Sequence, residues 1–314
     1  MKDIQIFQSH YDPHLSPNFP LNWGRIFKRR ASLVVEVGCG NGEFLVEWAK
    51  SRPDWNFVGI ELSLASGERL LSRIYQNGLQ NVRLLRDDAR FILRELFANE
   101  SVAQVMLNFP DPWPKEKHKA RRLIDRGFVQ TLGTILEKQG IFDLFTDQKW
   151  YAEEAKGVFE ESNAFKISSI KQNPQRSSST KYERKWKELF RQIYHVQAVK
   201  YKNLAVRRIV ENIDMPHYFV HKQVSSKQIY LLDGLERSEN NKVFKVKEIF
   251  ERPDHQVFLF RIITVDEGYM QTFFMLAAPH ERGYIIKIDT GFQPYRTPAV
   301  KWAVAEIGRL LTDQ

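Results

Sequence analysis

Between Val105 and Leu123 the chain reads VMLNFPDPWPKEKHKARRL, an apolar run that breaks into Asn108-Phe109-Pro110-Asp111-Pro112-Trp113-Pro114 and then a basic stretch. Three prolines in five residues fix φ and remove backbone donors, so such a loop can hold a carboxylate still. Asp111 stands between two of those prolines, close to Trp113. A rigid acid, an aromatic face and a following run of cations are the parts that grip a nucleobase and its phosphates. The competing reading is a structural proline corner.

A second chemical element lies upstream. LVVEV (33–37) leads into Gly38-Cys39-Gly40-Asn41-Gly42 and then a helical pattern. A strand, a glycine turn and a helix bring backbone amides close to a ligand. The dinucleotide pattern wants a third glycine at 43, but that residue is Glu43, and Glu36 precedes the loop. A carboxylate there repels a pyrophosphate and attracts an ammonium or sulfonium. S-adenosylmethionine carries both cations and no phosphate. Glu61 ends the next strand about 20 residues on, where a carboxylate binds ribose hydroxyls. The third strand ends in Asp87-Asp88-Ala89, and a carboxylate there can accept from an adenine amino group. The expected cofactor contacts are therefore Glu36, Gly38, Gly40, Gly42, Glu61 and an acid at the end of the third strand. Cys39 reads as a small residue in a tight turn, not a nucleophile.

The elements that must position these residues alternate. Strands are expected at 33–37, 56–62, 82–86, 102–108 and 141–147, and helices at 43–51, 63–76, 89–97, 122–138 and 148–161. That rhythm predicts an α/β fold, a mostly parallel Rossmann-like sheet with helices on both faces. LFRQIYHVQAVKY (189–201) is expected to close the sheet as an antiparallel strand. Residues 1–30, with Pro13, Pro17 and Pro20, read as an N-terminal arm, and 31–205 as the catalytic domain. Residues 206–314 read as a small α+β domain, consecutive strands and then a helix over 298–311.

Charge narrows the partner. The net charge is +9 over 314 residues. Residues 112–122 carry five Lys or Arg against one Glu, and 171–187 carry six against one, so these two blocks account for the whole excess. Localised basic blocks suit a polyanion contact, whereas the tail from 206 has 15 basic and 14 acidic residues. A lone cysteine excludes an intrachain disulfide and a cysteine zinc cluster, and no metal is expected. Neither a signal pattern nor a membrane-length apolar run is present, which predicts a soluble cytoplasmic protein. No sequence feature implies a protein partner, and monomer and homodimer both stay open.

The ordered motifs VEVGCGNGEF, FVGIEL, RDDA, NFPDPWPKEKHKARR, LFTD and TKYE resemble the tRNA (guanine-N7-)-methyltransferases of bacteria over roughly residues 30–200. PDPWPK and TKYE are far more specific than the glycine loop. The resemblance implies methyl transfer from S-adenosylmethionine to N7 of a tRNA guanosine, at position 46 in the variable loop. It assigns Glu36, Glu61 and Asp88 to cofactor binding, and Asp111 to both catalysis and cofactor contact. Lys115, Asp147, Thr180, Lys181, Tyr182 and Glu183 fall at its substrate-binding positions. The basic run adds Lys117, Lys119, Arg121, Arg122 and Arg184 as expected phosphate contacts. The glycine usual after TKYE is replaced by Lys185-Trp186.

Two rivals stay open. An exocyclic-amino N-methyltransferase often carries Asn/Asp-Pro-Pro-aromatic at this strand end, whereas the order here is Pro-Asp-Pro-Trp. The other is a tRNA-binding protein with an inactive cofactor site. It would lack affinity for S-adenosylmethionine.

Overall fold

Short apolar strands without alternation must be covered on both faces, and β1 (Leu33–Val37) and β2 (Asn56–Ile60) are buried at every position. The computed structural model describes residues 9–16, 18–175, 192–210, 214–252, 256–281 and 283–313. They form two compact units. One takes the chain up to Pro13 and then Pro20–Arg207, and the other takes His14–Phe19 and the chain from Arg208 on.

The first unit begins with a short helix, α1 (Trp23–Ile26), before β1. The sheet then builds through α2 (Glu43–Ser51), β2, α3 (Leu64–Gln76), β3 (Val82–Leu85), α4 (Ala89–Leu96) and β4 (Val102–Asn108). After a 3-10 turn at Glu116–Arg121 come α5 (Arg126–Ile135), β5 (Leu136–Thr146), α6 (Lys149–Glu161), β6 (Phe165–Ile167), β7 (Lys171–Gln172) and β8 (Tyr194–Lys200). The strand order is β3-β2-β1-β4-β5-β8-β6, with β7 also on β8. The first five strands run parallel, and β8 runs antiparallel to β5.

The expected helix at 122–138 is shorter at both ends. Asp125 caps α5 by accepting from the Phe128 amide at 2.8 Å. At the other end β5 takes over at Leu136, which pairs with Val102. Strands β6 and β7 were too short to leave a periodic signal. Residues 20–30, expected within an irregular leader, are packed instead. Leu21, Trp23 and Phe27 are buried, and Trp23 stacks on Phe97 at 5.0 Å.

The second unit holds β9 (His217–Val220), α7 (Ser226–Tyr230), β10 (Glu236–Glu239), β11 (Lys242–Arg252), β12 (Val257–Asp266), β13 (Tyr269–His280), β14 (Gly283–Ile288) and α8 (Pro298–Asp313). Its antiparallel sheet has the order β10-β11-β12-β13-β14-β9. One face packs Phe244, Phe258, Phe260 and Met275 into a core with Ala303, Val304 and Ile307 of α8. No helix among the described residues is long and apolar enough to cross a membrane.

Candidate active site

The strand order reverses between β1 and β4, so the loops leaving their carboxyl ends part and open a crevice. A cavity of about 840 Å³ lies there, walled by Glu36, the glycine loop 38–42, Glu61, Asp111 and Asp147.

Glu36 is opposite Met106 of β4, and Asn108 lies two residues further along that strand on the same face. Asn108 Nδ2 donates to Glu36 Oε1 at 2.7 Å, and Glu36 is only 2% exposed. Glu61 Oε2 accepts from the Gly40 amide at 2.8 Å, and Oε1 accepts from the Ser63 amide at 2.9 Å. The glycine loop is thereby tied to the end of β2, and each carboxylate oxygen keeps a lone pair for a further donor. Gly42 has φ +73°, and a Cβ there would fall 2.2 Å from Leu70 Cδ1, so only glycine lets α2 start so close to α3.

The electrostatics of this wall select the ligand class. Among the described residues the lining contains five carboxylates, Glu36, Glu43, Glu61, Asp111 and Asp147, and a single guanidinium, Arg69. Glu43 is paired with Arg73 at 3.1 Å. Such a wall suits a ligand carrying positive charge and disfavours a pyrophosphate. The donor set therefore fits S-adenosylmethionine. Burial pushes the Cys39 thiol well up, with Glu36 and Glu61 adding to the shift, so it stays protonated. Its Sγ would lie 2.7 Å from a Cβ on Gly59, which makes Cys39 a packing residue of the turn.

The proline loop is strained where it meets the cavity. Phe109 has φ 50° and Trp113 φ 45°, and each precedes a proline. Conformations of this kind cost on the order of 1–3 kcal/mol apiece and persist only where neighbours enforce them. Two contacts do so. The Phe109 amide donates to the Phe145 carbonyl at 2.8 Å. The Trp113 carbonyl accepts from Arg122 Nε and Nη2 at 3.2 and 3.1 Å. Asp111 is exposed on the cavity wall between these two anchors.

This arrangement corrects the expectation for Arg122. It is 5% exposed, its Nη1 bonds both Glu154 oxygens at 2.7 and 3.0 Å, and its guanidinium lies 4.9 Å from the Trp150 ring centroid. Its donors are turned inward to Glu154 and the Trp113 carbonyl, so it braces the proline loop and does not face solvent as the other cations of the run do. Lys115, Lys117, Lys119 and Arg121 are exposed around the 3-10 turn, with Arg121 over Trp113 at 4.8 Å.

Asp147 lies on the cavity wall, but Lys115 does not. Asp88 does not line the cavity either. It caps α4, accepting from the Arg90 and Phe91 amides at 2.8 and 3.2 Å. Thr180, Lys181, Tyr182, Glu183 and Arg184 fall outside the described residues. The wall also includes Ser66, Arg69, Asn108 and Gln148, to which sequence motifs assign no role. The place of Asn108 at a strand end beside the proline motif is a signal that could have found it. Ser66 and Arg69 lie within α3 and carry no motif.

A protein-family model described as "Putative methyltransferase" matches residues 30–196. The chain is 40% identical over 96% of its length, and 96% of the relative's, to a tRNA (guanine-N(7)-)-methyltransferase of Thermotoga maritima. It is 33% identical to one from Coprothermobacter proteolyticus, covering 93% of this chain and 91% of that one. A Nitrosococcus oceani enzyme of the same name, 38% identical, aligns with only 54% of this chain and 75% of its own. The first two alignments take in the tail after 205 as well as the sheet that carries the cavity. The chain belongs to the tRNA (guanine-N7-)-methyltransferase family.

Proposed function

We propose that this protein transfers a methyl group from S-adenosylmethionine to N7 of the guanosine at position 46 in the variable loop of tRNA, in the cytoplasm. The observation that carries the reading is one cavity whose wall joins Glu36, Glu61 and the glycine loop to Asp111 and Asp147.

When bound, S-adenosylmethionine supplies a methyl group made electrophilic by its sulfonium. Glu36 and the glycine loop hold the cationic end, and Glu61, already oriented by Gly40 and Ser63, takes the ribose hydroxyls. Asp88, whose Oδ1 caps α4, is the acid this reading assigns to the adenine amino group. Guanine N7 carries an in-plane lone pair, so the chain needs no general base and no activated nucleophile. Its work is to position and to stabilise charge. A carboxylate can accept from guanine N1–H and the N2 amino group, which selects guanine over adenine. It also offsets the positive charge the base acquires. Asp111 and Asp147 are the two carboxylates of the wall offered for these roles, with Asp111 also touching the cofactor. The TKYE segment, Thr180–Glu183, and Lys115 hold the substrate, and Lys117, Lys119, Arg121 and Arg184 hold its phosphates. The tail from 206 works as an α+β domain of its own.

The test is to incubate the chain with unmodified tRNA and labelled S-adenosylmethionine, digest the product and separate the nucleosides. Label is expected in N7-methylguanosine from position 46. Label in an N-methylated exocyclic amine, or absence of cofactor binding, overturns the reading.

A further inference from the structure

Among the described residues, every charged side chain on the cavity wall but one is an acid, and the exception is Arg69. It lies one turn beyond Ser66 on α3, and both residues line the cavity.

A guanidinium placed among acids is expected to be neutralised by one of them, and its neighbour is. Arg73, one turn further along α3, pairs with Glu43 at 3.1 Å. Arg69 does not follow. Among the described residues its hydrogen bond goes to a neutral acceptor, Asn41 Oδ1, at 3.3 Å, which is long for an N–H···O bond. The residue is exposed, and a guanidinium carries five donors in a planar fork, so most of its hydrogen-bonding capacity stays uncommitted.

The position of Arg69 indicates which anion it would meet. Asn41 stands in the glycine loop next to Gly40, whose amide donates to Glu61 at 2.8 Å. Arg69, Asn41, Gly40 and Glu61 are therefore one chain of contacts on the cofactor side of the wall. The basic run assigned to tRNA phosphates follows a different strand, β4. S-adenosylmethionine carries a sulfonium, an ammonium and one anion, its α-carboxylate. The acids of the wall suit the two cations and repel the carboxylate, which needs a cation of its own. An arginine fork matches the two oxygens of a carboxylate.

We infer that Arg69 binds the α-carboxylate of the cofactor and makes the cavity selective for a ligand with an intact amino-acid end. The inference rests on the cofactor reading given above and adds a residue that lies in no motif.

The test is calorimetric titration of the full chain with S-adenosylmethionine and with its decarboxylated form, which keeps the sulfonium and the amine. Wild-type protein is expected to bind the intact cofactor about tenfold or more tightly than the decarboxylated form, the range for hydrogen bonds to a charged group. Arg69→Gln should lose that preference. It should weaken the intact cofactor by about the same factor and leave the decarboxylated form within about twofold, closing a double-mutant cycle. Arg69→Lys, which keeps the charge without the fork, should recover part of the preference. Melting temperature and tRNA anisotropy of both variants should match the wild type. Equal weakening of the two ligands by Arg69→Gln, or weakening of neither, overturns the proposal. So does a loss of tRNA affinity with cofactor affinity unchanged, which would place a phosphate at Arg69. Wild-type protein that binds neither ligand would instead remove the cofactor reading itself, and the two failures are thereby told apart.

Discussion

Asn108 donates to Glu36 across the β1–β4 pairing, so the acid beneath the glycine loop and the strand that launches Asp111 are one hydrogen-bonded unit. That bond ties together two sides of the cavity wall, Glu36 on β1 and the start of the proline loop after β4. Asn108→Ala removes a donor from an almost fully buried carboxylate, a loss of about 1.5–3 kcal/mol. The expected result is a melting temperature lower by roughly 4–8 °C and an affinity for S-adenosylmethionine about tenfold weaker. Calorimetric titration and a thermal melt check both. An unchanged cofactor affinity would show that Asn108 does not orient Glu36.

Asp111 is exposed on the cavity wall between two strained backbone positions, so its side chain can be changed without opening a core. Asp111→Ala is expected to abolish methylation, lowering turnover by about a hundredfold or more as for loss of a group that stabilises developing charge. tRNA binding, assigned in the proposed function to the exposed basic run, should stay within about twofold. Single-turnover methylation and a filter-binding isotherm separate the two. Near wild-type turnover would remove Asp111 from the chemistry.

The parallel order was legible because runs such as LVVEV and VAQVMLN are too apolar for any exposed strand, and the glycine loop announced the ligand edge. Strand adjacency was not. Asp143 belongs to no motif, yet it is buried and bonds Gln104 at 2.7 Å, His195 at 2.7 Å and Gln197 at 3.0 Å. Those partners come from β4 and β8, which only the folded sheet brings beside β5. Arg122 failed for a related reason. A run of cations reads as a solvated face, and the acid that buries this one, Glu154, lies a helix away in α6.

The corrected role of Arg122 divides the basic run into two experiments. Replacing Lys115, Lys117, Lys119 and Arg121 by Ser removes solvent-facing charge. It is expected to weaken tRNA binding and to flatten the dependence of log K on log salt, by up to about 0.7–0.9 for each phosphate that is no longer neutralised. Stability should hardly change, since exposed cations contribute little. Arg122→Ala should behave in the opposite way. It leaves Glu154 and the Trp113 carbonyl without their donor and costs about 2–4 kcal/mol in folding, with the salt slope preserved. A flattened slope in Arg122→Ala, with a wild-type melt, would return that residue to the phosphate contacts.

Asp266 sets a pH dependence in the second unit. It is 3% exposed and its Oδ1 accepts from the Ala299 amide at 2.8 Å, near the start of α8. Burial raises its carboxyl above the usual carboxylate range, with hydrogen bonds from Thr297 and Ala299 opposing the shift. The folded state therefore binds this proton more tightly than the unfolded chain does. Its contribution to stability is fully present below the ordinary carboxylate pKa of about 4, and it is lost as pH rises through the higher folded value. Asp266→Asn keeps the oxygen that caps α8 and cannot ionise, so at pH 7 it should melt higher than the parent. That advantage should shrink towards zero as the pH is lowered to about 4. Melting curves of the two proteins that stay parallel across this range would show that Asp266 is not carrying a buried charge at neutral pH.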